Sequence, residues 1–144
     1  DKYGIIVWKE IPIVDLIDTT KAFEQNAINQ LQEMIAQYSN HSSIVMWGFM
    51  NEILLGIDRY LTDPLLKKAC FEKTPVLAKK LHTICKQMDP DRLTTIAHHG
   101  DIELYEKWGM HTITDVIGYN CYPGWYGGNT SGFTKMVEKF HALR

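Results

Sequence analysis

The stretch NHSSIVMWGFMNE, residues 40–52, decides how this chain is read. Four turn-forming polar residues lead into the apolar run Ile44 to Gly48, and the stretch ends on Asn51-Glu52. The run is continuous rather than alternating. Continuous apolar runs suit strands covered on both faces, as in parallel sheets. An amide and a carboxylate then stand at the strand's carboxyl end, where parallel α/β architectures gather their functional groups.

Three more runs of this kind flank it: Gly4 to Trp8, Leu93 to Ala97, and Asp115 to Asn120. Helical spacing fills the gaps. Phe23, Ala27, Ile28, Leu31, Met34, Ile35 and Tyr38 repeat on one face, with Asp18, Thr19 and Thr20 as caps. Leu77, Leu81, Ile84, Cys85 and Met88 mark a second helix, for which Thr74 and Pro75 fit the N-cap and first position. Asp89-Pro90-Asp91 closes it, since proline lacks an N–H and its ring breaks a helix. A short helix is expected over Ile102 to Trp108 and a last one from about Gly132. The order β-α-β-α-β-α-β-α predicts parallel strands with crossover helices. Four such units fit a compact three-layer domain or half of a barrel, which takes about 250 residues when complete.

Composition limits the function classes. The chain has 144 residues, 45% hydrophobic and 22% charged, with a net charge of −2. That balance points to no nucleic acid and no membrane partner. No apolar run approaches the roughly 18 residues that span a bilayer. Cys70, Cys85 and Cys121 form no Cys-x-x-Cys pair, so a cysteine zinc site is not expected. Their usage fits periplasm and cytoplasm alike. The start, Asp1-Lys2-Tyr3-Gly4, is neither a signal peptide nor an initiator methionine, so the chain is expected to begin within a domain.

The four strand ends carry Lys9-Glu10, Asn51-Glu52, His98-His99 and Asn120-Cys121-Tyr122. A glycosidase acid needs a carboxylic acid at such a tip, partly desolvated so that it holds its proton near neutrality. A neighbouring amide can bond a sugar 2-OH, a contact that tightens in the transition state. Taken alone, Asn51-Glu52 reads more readily as a helix cap beside a solvated acid. Aromatic rings give sugars a platform, which brings in Tyr122, Trp125 and Tyr126 from the Gly-rich loop 122–132. Simple loop packing is the alternative for Trp125 and Tyr126. Adjacent histidines on a strand point to opposite sides. One of His98 and His99 is expected at the mouth, the other partly buried. Glu10 reads as a supporting carboxylate at the mouth or as a surface acid.

The chain resembles glycoside hydrolase family 2, the family of β-galactosidases and β-glucuronidases, in its central (β/α)8 barrel. DKYGIIVWKEIP looks like the third barrel strand and NHSSIVMWGFMNE like the fourth. MDPDRLTT looks like the entry to the fifth, and DVIGYNCYPGWYGG like the sixth with its sugar-facing loop. The resemblance spans nearly the whole chain in order. It implies an α/β fold, a partial TIM barrel of four βα units, with residues 1–144 a single fragment of a catalytic domain. It implies a β-galactosidase-like O-glycosyl hydrolase acting on β-linked carbohydrate with retention. Glu52 would be the acid/base and Asn51 the sugar-hydroxyl contact, with Asn120, Tyr122, Trp125 and Tyr126 near the substrate. A non-catalytic carbohydrate-binding remnant, or another retaining barrel glycosidase of the glucanase or mannanase type, are the competing readings.

Departures from the family pattern carry expectations too. Lys9 stands where Asp is common, which would reverse the charge at the mouth. The Glu-x-His metal ligands of some β-galactosidases do not occur from Ile11 to Asp18, so no catalytic magnesium, no other metal and no cofactor is expected. Retention needs two carboxylates about 5 Å apart, and the family's nucleophile lies on the seventh strand. The isolated chain is therefore expected to be inactive. Its open sheet edges are expected to promote self-association, and a clean monomer by light scattering would count against that.

Overall fold

The computed structural model describes residues 2–142. Its elements are β1 (Val7–Glu10), α1 (Lys21–Tyr38), β2 (Ile44–Asn51), α2 (Leu55–Tyr60), α3 (Pro64–Met88), β3 (Leu93–His98), α4 (Ile102–Lys107), β4 (Val116–Tyr119) and α5 (Gly132–Ala142). The four strands form one parallel sheet in the order β1-β2-β3-β4. Each strand pairs with the next in sequence, and the order never reverses. A doubly wound sheet reverses at a switch point. This sheet is singly wound, as in half of a barrel.

The two faces have different tasks. Trp47, Ile96, Tyr105 and the apolar faces of α1 and α3 form the core between sheet and helices. Thr20 caps α1, its hydroxyl accepting from Phe23 N at 3.2 Å, as its position in the sequence suggested. Buried Ala27, Ile28, Leu31, Met34 and Ile35 then face the core. The other face of the sheet looks into the barrel.

Two expectations are corrected. Thr74 and Pro75 do not begin the second long helix; they lie inside α3, which starts eleven residues earlier. Asp63 is the N-cap, accepting from Leu65 N, and Pro64 takes the first turn. Pro75 removes one helical donor, at a cost of about 3 kcal/mol. Continuous burial of Cys70, Thr74, Leu77, Ala78, Leu81 and Cys85 offsets it, and Thr74 Oγ1 donates back to the Cys70 carbonyl at 2.7 Å. The first strand runs over Val7–Glu10 rather than from Gly4, because β2 begins at Ile44, the register partner of Val7. Ile5 and Ile6 are left exposed. A further element, α2, occupies a stretch to which the sequence reading assigns no structure.

Candidate active site

The carboxyl ends of the strands build the site, and β2 does so by breaking its own regularity. Gly48 pairs with Thr95 and Asn51 with Ala97, so three steps along β2 match two along β3. A regular strand would point Gly48 and Asn51 to opposite faces. The bulge turns both inward. Immediately beyond, Glu52 takes a left-handed backbone with φ 50°. For a residue other than glycine this costs roughly 1–3 kcal/mol and marks functional positions. Glu52 N still donates to the Ala97 carbonyl at 2.7 Å, and its own carbonyl accepts from Leu55 N. The chain is thus held at both sides of the strained residue.

Asn120, just past β4, supplies the tie. Its Nδ2 donates to Asn51 Oδ1 and to Glu52 Oε1, each at 2.9 Å. Both amide protons are used, one on a neutral acceptor and one on the carboxylate. A hydrogen bond to a charged group contributes about 1.5–3 kcal/mol, the same size as the strain it restrains. Below this triad lies a cavity of about 350 Å³ lined by Trp8, Glu10, Asn51, Ala97 and Asn120.

Glu10 faces that cavity. Desolvation of its carboxyl raises its pKa, and hydrogen bonding from Trp8 offsets only part of this. Lys9, one residue earlier, points the other way. Its ammonium sits 3.8 Å above the Tyr38 ring on the helical side. The expected charge reversal at the mouth is therefore corrected: strand alternation sends the cation to α1.

The two histidines separate as strand geometry requires. His98 is fully buried on the helical side, stacked on Tyr105 with ring centroids 3.8 Å apart and edge-on to Tyr119. Neither ring nitrogen has a hydrogen-bond partner among the described residues. Burial first, then the neighbouring His99 and His111, lowers its pKa to about 3. Of the two histidines, His98 is the core residue and is removed from the set of candidate substrate contacts. His99 stays at the rim, its Nδ1 accepting from Asp101 N at 3.2 Å. Burial lowers its pKa, with Asp101 and Glu52 pulling the other way, so it lies within electrostatic reach of the acid.

The aromatic loop stands open. Trp125 and Tyr126 are 79% and 81% exposed, and Tyr122 meets Tyr126 edge to face at 5.0 Å. Tyr122 lies within reach of Glu52's charge. The loop's turn closes through Gly124 N to the Gly127 carbonyl, with Gly124 at φ 82°. No contact ties Trp125 or Tyr126 to Asn51 or Glu52 among the described residues. A separate cavity of about 360 Å³ lies in the helical layer, beside Tyr119, Phe140 and His111, and none of the candidate site residues lines it. No group of three or more metal-ligating side chains suited to a metal ion occurs among the described residues.

Trp8 and the glycines beneath it escape a reading based on ionisable groups. Their signal was present: Trp8 shares a face with Glu10, and Gly48 and Gly118 interrupt otherwise bulky strands.

Comparison with known proteins agrees with this geometry. The family model for the TIM barrel domain of glycosyl hydrolases family 2 matches residues 1–143. A β-glucuronidase from Bacteroides fragilis is 32% identical over 98% of this chain and 18% of its own length. One from Sus scrofa is 30% identical over 88% of this chain and 17% of its own. Bacteroides uniformis β-glucuronidase 2, solved covalently bound to cyclophellitol-6-carboxylate aziridine, superposes with a TM-score of 0.91 at 41% identity. That match covers all of this chain and 17% of the other. The chain therefore spans less than a fifth of the length of these relatives.

Proposed function

The chain belongs to glycoside hydrolase family 2, and we propose that it carries the acid/base half of a retaining β-glycosidase site, with β-glucuronides as the substrate class. The observation that carries this reading is the Asn120 amide bridging Asn51 and the left-handed Glu52 at the mouth of an inward-facing cavity. A solvated strand-end acid has no need of a strained backbone and a dedicated donor.

Glu52 protonates the leaving oxygen in the first step and takes a proton from water in the second. Asn120 fixes the rotamer of Glu52 and leaves the other carboxyl oxygen free for that proton. Asn51 has one amide oxygen engaged by Asn120, so its NH2 is the group left to donate to a sugar hydroxyl. His99 and Tyr122 border the acid, and the exposed Trp125 and Tyr126 are the aromatic platform of the reading. Glucuronides are preferred over the galactosides expected from sequence, because the relatives described above are β-glucuronidases. The covalent adduct of the Bacteroides uniformis protein supports a nucleophilic, retaining route in this class. The second carboxylate belongs to a strand outside these four, so the 144-residue chain alone is expected to give no turnover.

The test places this segment in a complete barrel. With Glu52→Gln, hydrolysis of a β-glucuronide with a poor leaving group should fall by about 10³-fold or more. A dinitrophenyl glucuronide, whose leaving group needs no proton, should lose far less in its first step. Equal losses on both substrates would remove the acid/base assignment. Unchanged sugar binding with no turnover in the wild type would favour a carbohydrate-binding remnant.

A further inference from the structure

The barrel face of the sheet has a notch that one side chain fills. Gly48 on β2 and Gly118 on β4 both face inward, although β3 separates their strands. A Cβ on Gly48 would lie 2.2 Å from Trp8 Nε1. One on Gly118 would lie 2.4 Å from Trp8 Cη2 and 2.7 Å from Cζ3. A single indole from β1 thus reaches over β2 and β3 to β4. Beneath its course lies the small Ala97, register partner of Gly118. The atoms in the way are ring atoms, not the loose end of a flexible chain, so ring and notch are matched. Trp8 is also held at its polar end, hydrogen-bonded to Glu10, whose Oε2 would lie 2.9 Å from the same Gly48 Cβ.

A second tie crosses the same span. Asn120 follows Gly118 by two residues and faces the same way, and its Nδ2 reaches back to β2 at Asn51 and Glu52. Trp8 and Asn120 line one cavity. β4 is an outer strand whose backbone ladder joins it to β3. Its position relative to β2 is therefore set by the curvature of the sheet, and the indole wedged over both glycines limits that curvature. The amide bonds at 2.9 Å leave little room for change, since a separation beyond about 3.5 Å is no longer a hydrogen bond.

We infer that Trp8 is a positioning residue for the acid/base site: seated on Gly48 and Gly118, its ring sets the separation at which Asn120 meets Glu52. The inference rests on the reading of Glu52 given above and deepens it. Trp8 does not touch the reacting atoms. It acts through β4 and Asn120, and its effect belongs in the chemical step rather than in ground-state binding.

Two readouts test it. In the 144-residue chain, Trp8→Ala should speed hydrogen exchange of the Asn120 side-chain amide by about tenfold or more, with the α1 amides unchanged. Trp8→Phe keeps a ring on the glycines and should stay within about threefold of the wild type. In a complete barrel, below the variant's melting range, Trp8→Ala should lower kcat about tenfold with KM held within about twofold, and Trp8→Phe should restore most of it. Should Trp8→Ala not fold, Gly118→Ala displaces the ring from its far side and should reproduce the same exchange effect. Unchanged Asn120 exchange in the folded variant, or a lower melting temperature with kcat intact, overturns the inference. The exchange readout needs no activity. A wild-type barrel without hydrolysis would sink the acid/base reading, while the brace would still stand or fall on exchange.

Discussion

The two ends of this sheet are built on opposite rules. At the amino end, Arg92 donates to Asp89 Oδ2 at 2.5 Å and to the carbonyls of Ile44, Ser39 and His41. Trp47 Nε1 also donates to Asp89, at 3.1 Å. Burial pushes the Asp89 carboxyl up, but these donors outweigh it and hold it below the usual range. Asp115 follows the same pattern: burial raises it, and Thr94 and Lys86 bring it below its ordinary value. At the carboxyl end, Glu52 is strained, Glu10 is raised with only Trp8 opposing the shift, and His99 Nε2 has no partner. One end pairs its polar groups into closed ion pairs and carbonyl contacts. The other ties Glu52 at one oxygen and leaves Glu10 and His99 without an ion-pair partner among the described residues, which is where stability and chemistry divide in barrels of this kind.

The largest effect should come from breaking the satisfied end. Arg92→Ala takes the cation from the buried Asp89 carboxylate and a donor from the carbonyls of Ile44, Ser39 and His41, of which His41 keeps Ile44 N. The urea midpoint should report a loss of about 3–5 kcal/mol. A loss under about 1 kcal/mol would mean that the amino end does not hold the fold as described.

A smaller effect near neutral pH, growing as the pH falls, belongs to His98, the last residue of β3, on its helical side. Its folded-state pKa is lowered from 6.5 to about 3. The unfolded chain takes up the proton first. The stability tied to the neutral ring is present above pH 6.5 and is lost as pH falls toward 3, at about 1.4 kcal/mol per pH unit. Denaturant titrations at several pH values should show a shallower slope for His98→Phe in that window. Parallel slopes for the two proteins would place the acid sensitivity elsewhere.

The smallest effect sharpens the contrast from the other side. Glu52→Gly relieves the left-handed strain and should raise stability by about 1 kcal/mol while removing the proposed acid. A gain at the carboxyl end, set against the loss at Arg92, would separate the two rules directly. A net loss would show that the Asn120 tether contributes more than the strain costs.

The parts legible in the sequence are those written by type and spacing. Four apolar runs gave the strands and their parallel sense, and the Asn51-Glu52 pair with Asn120 marked the residues that the structure joins. The bulge after Gly48 was not legible, because an inserted residue changes facing without changing composition. Nor was the early start of α3. Pro75 reads as a helix beginning, and only the packing of the turns before it shows that the interruption is tolerated. Lys9 was misplaced, and the choice between His98 and His99 stayed open, for a shared reason: each sits near a strand end, where alternation decides the side and register had not been set. Trp8 was legible as apolar but not as a wedge, since its role depends on two glycines on strands that it does not adjoin.

The sequential strand order has a consequence for the order of events during synthesis. Each strand pairs with the one made just before it, so β1, β2 and β3 can assemble as they leave the ribosome. Glu52 belongs to that early group, and Asn120, which restrains it, follows 68 residues later. The nascent chain must therefore carry the strained turn at Glu52 untethered until β4 arrives. The bulge, the bond from Glu52 N to Ala97 and the bond from Leu55 N to Glu52 are the features that can keep it during that wait.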